Sequence, residues 1–295
     1  MTRLSALLIA CVACASSWGL SAHAEGGADL SLSPKRVVLG PADRAATIYV
    51  FNRGTAAATY TLALEDEVMT ADGQIRSRAE MASDPAGAQA LSRLKSAEPF
   101  LTFAPHRVTL QPGESQTVRL RALRPGDLAP GEYRTHLTVT ALPPEDMGLT
   151  AEQAANPTEG QLSVKVVTLF SISMPLIVRQ GAVDVTASID GMRLETRESR
   201  DPAAPAPITS VLFDLGRQGT SSLYGDVEVS VMKNGKPGEV IGRARGIGVY
   251  AEADKRIVAV PLSRAPASGQ KLQILFRDDD TRPGVVLATA VFTAP

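Results

Sequence analysis

Few residues in this chain have the types and spacing that covalent chemistry requires. Two histidines lie beyond the first 24 residues, His106 next to a proline and His136 on the predicted wet face of a strand, while both cysteines, Cys11 and Cys14, lie near the start. The sequence contains no G-x-S-x-G motif, phosphate-binding loop or metal-spaced histidine pair. Asp278-Asp279-Asp280 could bind calcium, but three carboxylates in a turn between strands are more typical of a solvated loop. We therefore expect no enzyme activity, no cofactor and no metal.

The overall charge gives no reason to expect a nucleic acid or membrane partner. The 295 residues include 30 Lys and Arg against 31 Asp and Glu, a formal net charge of -1 at pH 7. A nearly neutral chain lacks the basic surface that attracts nucleic acids or anionic lipids. After the first segment, no run reaches the roughly 18 apolar residues that a membrane helix needs. We expect no binding to nucleic acid and no membrane insertion.

The first 24 residues have the organisation of a secretory signal peptide. A short basic start precedes a largely apolar stretch from Leu4 to Ala15, and Ala22-His23-Ala24 is a small-x-small cleavage site. Cleavage there would export a mature chain that begins at Glu25 and contains no cysteine. The alternative is the lipoprotein box Leu8–Cys11, which would leave Cys11 lipidated, although its apolar run is short for an h-region.

From Leu30 onward, apolar and polar side chains alternate in short runs. In one run, Val118 and Leu120 alternate with Arg119 and Arg121. This period of two is typical of strands with one wet face, and short strands separated by turn residues favour an immunoglobulin-like sandwich. The runs that predict the first sandwich are Leu30–Leu39, Ala45–Asn52, Ala58–Glu65, Arg107–Leu110, Ser115–Arg124, Glu132–Thr140 and Gln161–Arg179.

A second set of strands follows Gln180-Gly181, which we interpret as a hinge. Asn234-Gly235 predicts a hairpin turn within this set, because both residues accept the positive φ angles that such a turn demands. The sequence thus predicts an all-β protein with a signal peptide, 1–24, and two immunoglobulin-like β-sandwich domains, 25–180 and 181–295, joined by a short hinge. The runs of the second domain are Val183–Ile189, Ile208–Leu215, Asp226–Met232, Glu239–Arg243, Lys255–Leu262, Lys271–Arg277 and Val285–Phe292.

Three segments depart from the strand pattern. Ala86 to Ala97 has apolar residues at helical spacing and predicts one short helix. Leu142 to Gly160 contains several prolines and glycines and predicts a long loop, and the proline-rich segment Asp201 to Pro207 predicts an extended loop or linker.

Tyr133 and Arg36, both in the first domain, each have a structural interpretation that needs no ligand. Tyr133 begins a predicted strand directly after Gly131-Glu132, which favours a tyrosine corner, a ring packed on the sandwich with its hydroxyl bonded to backbone. Arg36 follows Pro34 in the first run, where an arginine is by itself a common surface residue of an edge strand.

The stretches Ser33–Leu39, Leu110–Leu120 and Gly131–Leu137 carry a family resemblance. Read in this order, they resemble the first domain of the periplasmic pilus-assembly chaperones, the PapD-like family, and the resemblance extends roughly from Leu30 to Arg179. It implies a periplasmic protein that stabilises pilus or fimbrial subunits by noncovalent binding. An outer-membrane usher is a further implied partner.

The resemblance also implies which residues contact a subunit. An arginine at the position of Arg36 lies in the cleft between domains and binds the subunit's terminal carboxylate, since a guanidinium gives a carboxylate two parallel bonds. The run Gln161–Arg179 would donate an edge strand whose alternate side chains enter the subunit's open groove. The family usually has a lysine near the end of this strand, where this sequence has Pro175. The inserted side chains would be those of Val164, Val166, Thr168, Phe170 and Ile172.

A different class of function remains open. The chain could be an exported immunoglobulin-like structural or adhesion scaffold without chaperone activity. A first domain closed at both edges would favour that scaffold, whereas an unpaired last strand would favour the chaperone.

Overall fold

The structure is a computed structural model that describes residues 29–143, 170–198 and 207–295. Within these ranges the chain forms 18 strands, two short α-helices and one 3-10 helix. The signal segment and residues 161–169 of the last strand run lie outside the described residues, as do most of the loops predicted over 142–160 and 201–207. No helix in the described part of the chain is long and apolar enough to cross a membrane.

The strands of the first sandwich follow the predicted runs, with an insertion between the fourth and the seventh. Strands β1 to β4 are Leu30–Ser33, Val37–Leu39, Ala45–Asn52 and Ala58–Glu65. The insertion consists of β5 Glu67–Met69, β6 Ile75–Ser77, α1 Arg78–Met81, α2 Pro85–Arg93 and the 3-10 helix Glu98–Phe100. Strands β7 to β11 are Leu101–Ala104, Arg107–Leu110, Ser115–Ala122, Gly131–Ala141 and Ser171–Gln180.

Two sheets form the first sandwich, with strand orders β1-β3-β9-β7 and β2-β11-β10-β4-β8. The predicted alternation of buried and exposed side chains is confirmed in β9, where Val118 and Leu120 are fully buried and Arg119 and Arg121 are exposed. The run predicted as one strand, Leu30–Leu39, instead divides between the sheets. Its first part, β1, pairs with β3, and its second part, β2, pairs in parallel with β11. This division brings the segment before β2 next to the last strand of the sandwich.

The insertion is ordered by local caps and lies against the second half of the chain. The predicted helix is confirmed as α2, for which Asp84 accepts a hydrogen bond from the Gly87 N–H at 2.7 Å and Pro85 occupies the first turn. Helix α2 ends at Arg93, earlier than predicted. Within the β5–β6 turn, the Ala71 carbonyl accepts a 2.8 Å hydrogen bond from the Ile257 N–H of the second sandwich. The insertion therefore bridges the two sandwiches.

The second sandwich also consists of two sheets. Its strands are β12 Val185–Arg197, β13 Ile208–Gly219, β14 Leu223–Lys233, β15 Lys236–Val249, β16 Lys255–Pro261, β17 Lys271–Asp278 and β18 Val286–Thr293. The sheet orders are β12-β13-β16 and β15-β14-β17-β18. The predicted hairpin turn is confirmed between β14 and β15, where Asn234 and Gly235 have φ angles of 53° and 75°.

Each sandwich has its own apolar core. The core of the first includes Ile48, Tyr60 and Leu137, and that of the second includes Phe213 and Phe276. Residues 181–184 connect β11 to β12. The division into domains at residue 180 stays a prediction, which the two separate cores favour.

Candidate functional site

Arg36 lies between β1 and β2 and reaches across to the second sandwich. Its Nη2 donates a 3.1 Å hydrogen bond to Oδ2 of Asp280, and its guanidinium carbon lies 4.0 Å from the centroid of the Tyr224 ring. Only 16% of the Arg36 side chain is exposed. The interpretation of Arg36 as an ordinary surface arginine is therefore wrong, because a carboxylate and an aromatic ring of the second sandwich cover it.

Arg179, near the end of β11, binds the same carboxylate as Arg36. Its Nη1 and Nη2 donate to Oδ1 and Oδ2 of Asp280 at 3.0 and 2.6 Å, and its Nε donates to Oε2 of Glu132 at 3.0 Å. Burial alone would lower the pKa of Arg179, but the bonds to the two carboxylates outweigh it and raise that pKa. The sequence alone predicts no role for Arg179.

Asp280 and Glu132 are both largely buried and connect the sandwiches in a single polar cluster. Burial would raise the pKa of Asp280, yet the hydrogen bonds and charges of Arg179 and Arg36 hold it below its ordinary value. Glu132 also accepts hydrogen bonds from the backbone N–H of Ser222, at 3.1 Å, and from its hydroxyl. We call Arg36, Arg179, Asp280 and Glu132 the cleft cluster.

The turn that carries Asp280 is folded into this interface. Asp278 is 2% exposed and accepts hydrogen bonds from the Asp280 N–H, the Thr281 hydroxyl and the Arg282 N–H, at 3.1, 2.9 and 2.6 Å. The interpretation of Asp278-Asp279-Asp280 as a solvated loop is therefore wrong for two of its three carboxylates, while Asp279 is exposed. Among the described residues, no group of three or more His, Cys, Asp or Glu side chains is arranged to hold a metal ion.

A second polar cluster joins β10 to the second sandwich. Arg134, 2% exposed, donates to the Glu67 carbonyl at 2.9 Å and to the Glu252 carboxylate, and its guanidinium lies 3.9 Å from the centroid of the Tyr250 ring. The backbone N–H of Met69 donates to the same Glu252 at 3.1 Å. The insertion and β10 thus hold the second sandwich at a place separate from the cleft cluster.

His136 belongs to this second cluster and is not solvated. Its side chain is 2% exposed, its ring nitrogens lie 3.1 and 3.2 Å from Nη1 of Arg134, and Nδ1 lies 3.6 Å from the Glu67 carboxylate. Burial, together with the positive charge of Arg134, lowers the pKa of His136 to about 2, so its imidazole is neutral. The prediction of a wet face for His136 is wrong because β5 covers that face of the sheet.

Tyr133 confirms the predicted tyrosine corner. Its hydroxyl donates to the Ala129 carbonyl at 2.9 Å, and its ring meets Phe100 edge-on with centroids 5.5 Å apart. Tyr133 therefore stabilises the sandwich and needs no ligand.

The described part of the last strand has an open edge. On one side, β11 pairs with β10 from Ser171 to Gln180, whereas on the other side β2 pairs only with Leu176, Ile177 and Val178. Within the described ranges, no strand pairs with Ser171–Pro175 on that second side. The backbone groups of this segment that point away from β10 are thus positioned to pair with a strand of another protein.

The predicted contact residues of this strand have different environments. Phe170 is 52% exposed although it is large and apolar, and its carbonyl still accepts a 3.0 Å hydrogen bond from the Ala141 N–H. Ile172 is half-buried and packs against the core of its own sandwich. Val164, Val166 and Thr168 lie outside the described residues.

Pro175 occupies the place beside Arg36. Since Val37 lies opposite Leu176 in the parallel pairing, the residue next to Arg36 on β11 is Pro175, and its antiparallel partner is His136. No lysine therefore stands at this position. The second cation of the cleft is Arg179, four residues later on the same side of the strand.

Comparisons with known proteins give structural similarity without sequence similarity. No family model matches the chain, and no curated protein matches it. The solved structures that it resembles include chaperones, several of them from fimbrial or pilus systems. The E. coli chaperone DraB is 16% identical with a TM-score of 0.42, covering 91% of this chain and 97% of its own. The Pseudomonas aeruginosa CupB2 chaperone is 11% identical with a TM-score of 0.41, covering 90% and 100%.

A third similar structure is a complex. It is the CsuC-CsuE chaperone–tip adhesion subunit pre-assembly complex from Csu pili of Acinetobacter baumannii, with 13% identity and a TM-score of 0.41, covering 90% of this chain and 98% of its own. Similarity at this level does not assign a function to this chain. A function for this chain must therefore be argued from its own strand edges and charged groups.

Proposed function

We propose that this protein is a periplasmic chaperone that binds and stabilises pilus or fimbrial subunits by donating the edge of β11. The single observation that carries the proposal is that, among the described residues, one side of Ser171–Pro175 has no partner strand, and that this segment directly follows the exposed Phe170. An open edge with an exposed apolar side chain is an aggregation hazard in an exported protein unless a partner covers it. A subunit that lacks its own last strand is such a partner.

The alternation upstream of Phe170 supports the proposal. In the predicted run Gln161–Arg179, the alternation assigns Val164, Val166, Thr168 and Phe170 to one side and Ser163 and Lys165 to the other. Burying a Val or Phe side chain in an apolar groove stabilises a complex by roughly 1.5–3 kcal/mol. We therefore assign these four side chains to the subunit's groove, and Ile172 to the chaperone's own core.

The location follows from the same proposal. Cleavage after Ala24 would release a mature chain into the periplasm, where subunits and an outer-membrane usher would be its partners. Binding through backbone pairing and apolar side chains involves no covalent step, so it requires neither a nucleotide nor a metal.

The scaffold and the chaperone differ in the strand edges that each requires. A scaffold needs a first sandwich whose edges are closed, and the side of β11 at Ser171–Pro175 is open within the described residues. The open edge is thus the observation that favours the chaperone over the scaffold.

Co-purification from the periplasm tests the proposal. Tagged protein with Phe170→Asp should lose a subunit that the unaltered protein retains, because a carboxylate cannot enter an apolar groove without a partner. The matched control is Val291→Asp in β18, since Val291 is 49% exposed and lies on an edge strand of the other sandwich. Strand donation is refuted if no subunit co-purifies with the unaltered protein, or if both variants retain it equally.

A further inference from the structure

The cleft cluster has no free positive charge. Arg36 and Arg179 contribute two cations, Asp280 and Glu132 contribute two anions, and every one of these groups is bonded to a group of opposite charge. Asp280 uses both of its oxygens on Arg179 and shares one of them with Arg36. A carboxylate from another molecule would therefore enter a site that already holds one.

Access to Arg36 is restricted as well. The guanidinium carbon of Arg36 lies 4.0 Å from the centroid of the Tyr224 ring, and one terminal nitrogen of Arg36 donates a hydrogen bond to Asp280. The side chains of Arg36 and Asp280 are only 16% and 8% exposed. An incoming carboxylate would have to displace Asp280 or the ring, because little of the guanidinium faces solvent.

Asp280 is held in place by its own turn. The Asp278 carboxylate accepts hydrogen bonds from the Asp280 N–H and from two further donors of the same turn. These bonds fix the backbone that carries Asp280. Moving the Asp280 carboxylate away from both arginines would leave a buried charge without a partner, which is strongly unfavourable. Displacement by a carboxylate of equal charge offers no compensating gain.

We infer that Asp280 permanently occupies the carboxylate site of this cleft, so that the protein recognises extended subunit segments irrespective of a free C-terminal carboxylate. The inference rests on the proposed function, since it concerns how that same edge selects its clients. It is consistent with Pro175 beside Arg36, which provides no cation for a terminal carboxylate. Clients whose last strand is amidated or continues into further residues would bind as well as clients that end there.

A pair of peptides tests the inference. The C-terminal strand of the co-purified subunit is synthesised once as the free acid and once as the amide, and each is titrated into the unaltered protein. We expect dissociation constants that agree within about twofold, because no free guanidinium meets the terminus. Tenfold or tighter binding of the free acid would overturn the inference, since one charge-assisted bond gives a difference of about that size.

Asp280→Asn provides the complementary measurement. This variant keeps the shape of the side chain but frees charge on Arg36 and Arg179, so the free acid should now bind about tenfold more tightly than the amide. Asp279→Asn is the matched control, because Asp279 is adjacent in sequence but exposed, and it should show no preference. If Asp280→Asn does not fold, Arg36→Gln in the unaltered background decides: a selective loss of free-acid binding would contradict the inference.

A measurement without any client keeps this inference separable from the proposed function. N-acetylglycine is titrated into the isolated protein while the side-chain Nε–H resonance of Arg36 is followed by NMR. We expect no saturable shift in the unaltered protein and a saturable shift in Asp280→Asn. A saturable shift in the unaltered protein refutes the occupied site, whereas failure of both peptides to bind refutes strand donation and leaves the NMR result to decide the site.

Discussion

The Asp280 carboxylate should contribute strongly to the stability of the whole protein. It accepts three charge-assisted hydrogen bonds, one from Arg36 and two from Arg179, in an interface where its side chain is 8% exposed. Removing one partner of a buried ion pair costs about 3–5 kcal/mol. Because Glu132 still neutralises Arg179 after Asp280→Ala, we expect the lower end, about 3 kcal/mol of the free energy of unfolding.

Urea and thermal unfolding, followed by circular dichroism, measure this loss. For a chain of this size, about 3 kcal/mol corresponds to a fall in Tm of roughly 6–12 °C. Asp279→Ala serves as the control and should change the free energy of unfolding by less than about 0.5 kcal/mol, since that side chain is exposed. A double-mutant cycle with Arg36→Ala should give a coupling energy of about 1 kcal/mol or more. A loss below about 0.5 kcal/mol for Asp280→Ala, or no coupling to Arg36, would refute the buried cluster.

Four further outcomes are expected. His136 has its folded-state pKa lowered to about 2 from 6.5, so its contribution to stability is present above pH 6.5 and is lost as the pH falls. His136→Gln should therefore reduce the pH dependence of the free energy of unfolding, measured by urea titration between pH 6 and 4, by up to about 1.4 kcal/mol per pH unit. Tyr133→Phe removes one hydrogen bond and should cost about 1 kcal/mol in the same assay; no change would contradict the tyrosine corner. Val166→Asp should abolish subunit co-purification while Lys165→Asp preserves it, and the reverse result would mean that the strand register is inverted. N-terminal sequencing of the exported protein should begin at Glu25, whereas a lipidated Cys11 would contradict the assignment of the signal.

The strands could be predicted because alternation is a local property. In β9 and in the second sandwich, each residue's side of the strand follows from its neighbours, and the predicted runs match strands of the structure. The short strands β5 and β6 were missed because three residues are too few to show a period of two. Strand β7, four residues long, was missed for the same reason.

The candidate site was predictable only in part, because it depends on contacts between distant segments. The sequence indicates that Arg36 belongs to the first strand, but not that Asp280 lies against it, 244 positions later. His136 alternates as a wet-face residue should, yet the insertion covers that face. The only sequence signal for Arg179 was its place on the same side of the strand as Pro175, because both positions are odd-numbered.

Amide hydrogen exchange with and without the bound subunit tests strand donation most directly. If the subunit pairs with the open edge, amides within 164–174 should become strongly protected, while those of the exposed edge β18 should exchange as in the free protein. Unchanged exchange over 164–174, with protection at another edge or face of the protein, would contradict strand donation by β11.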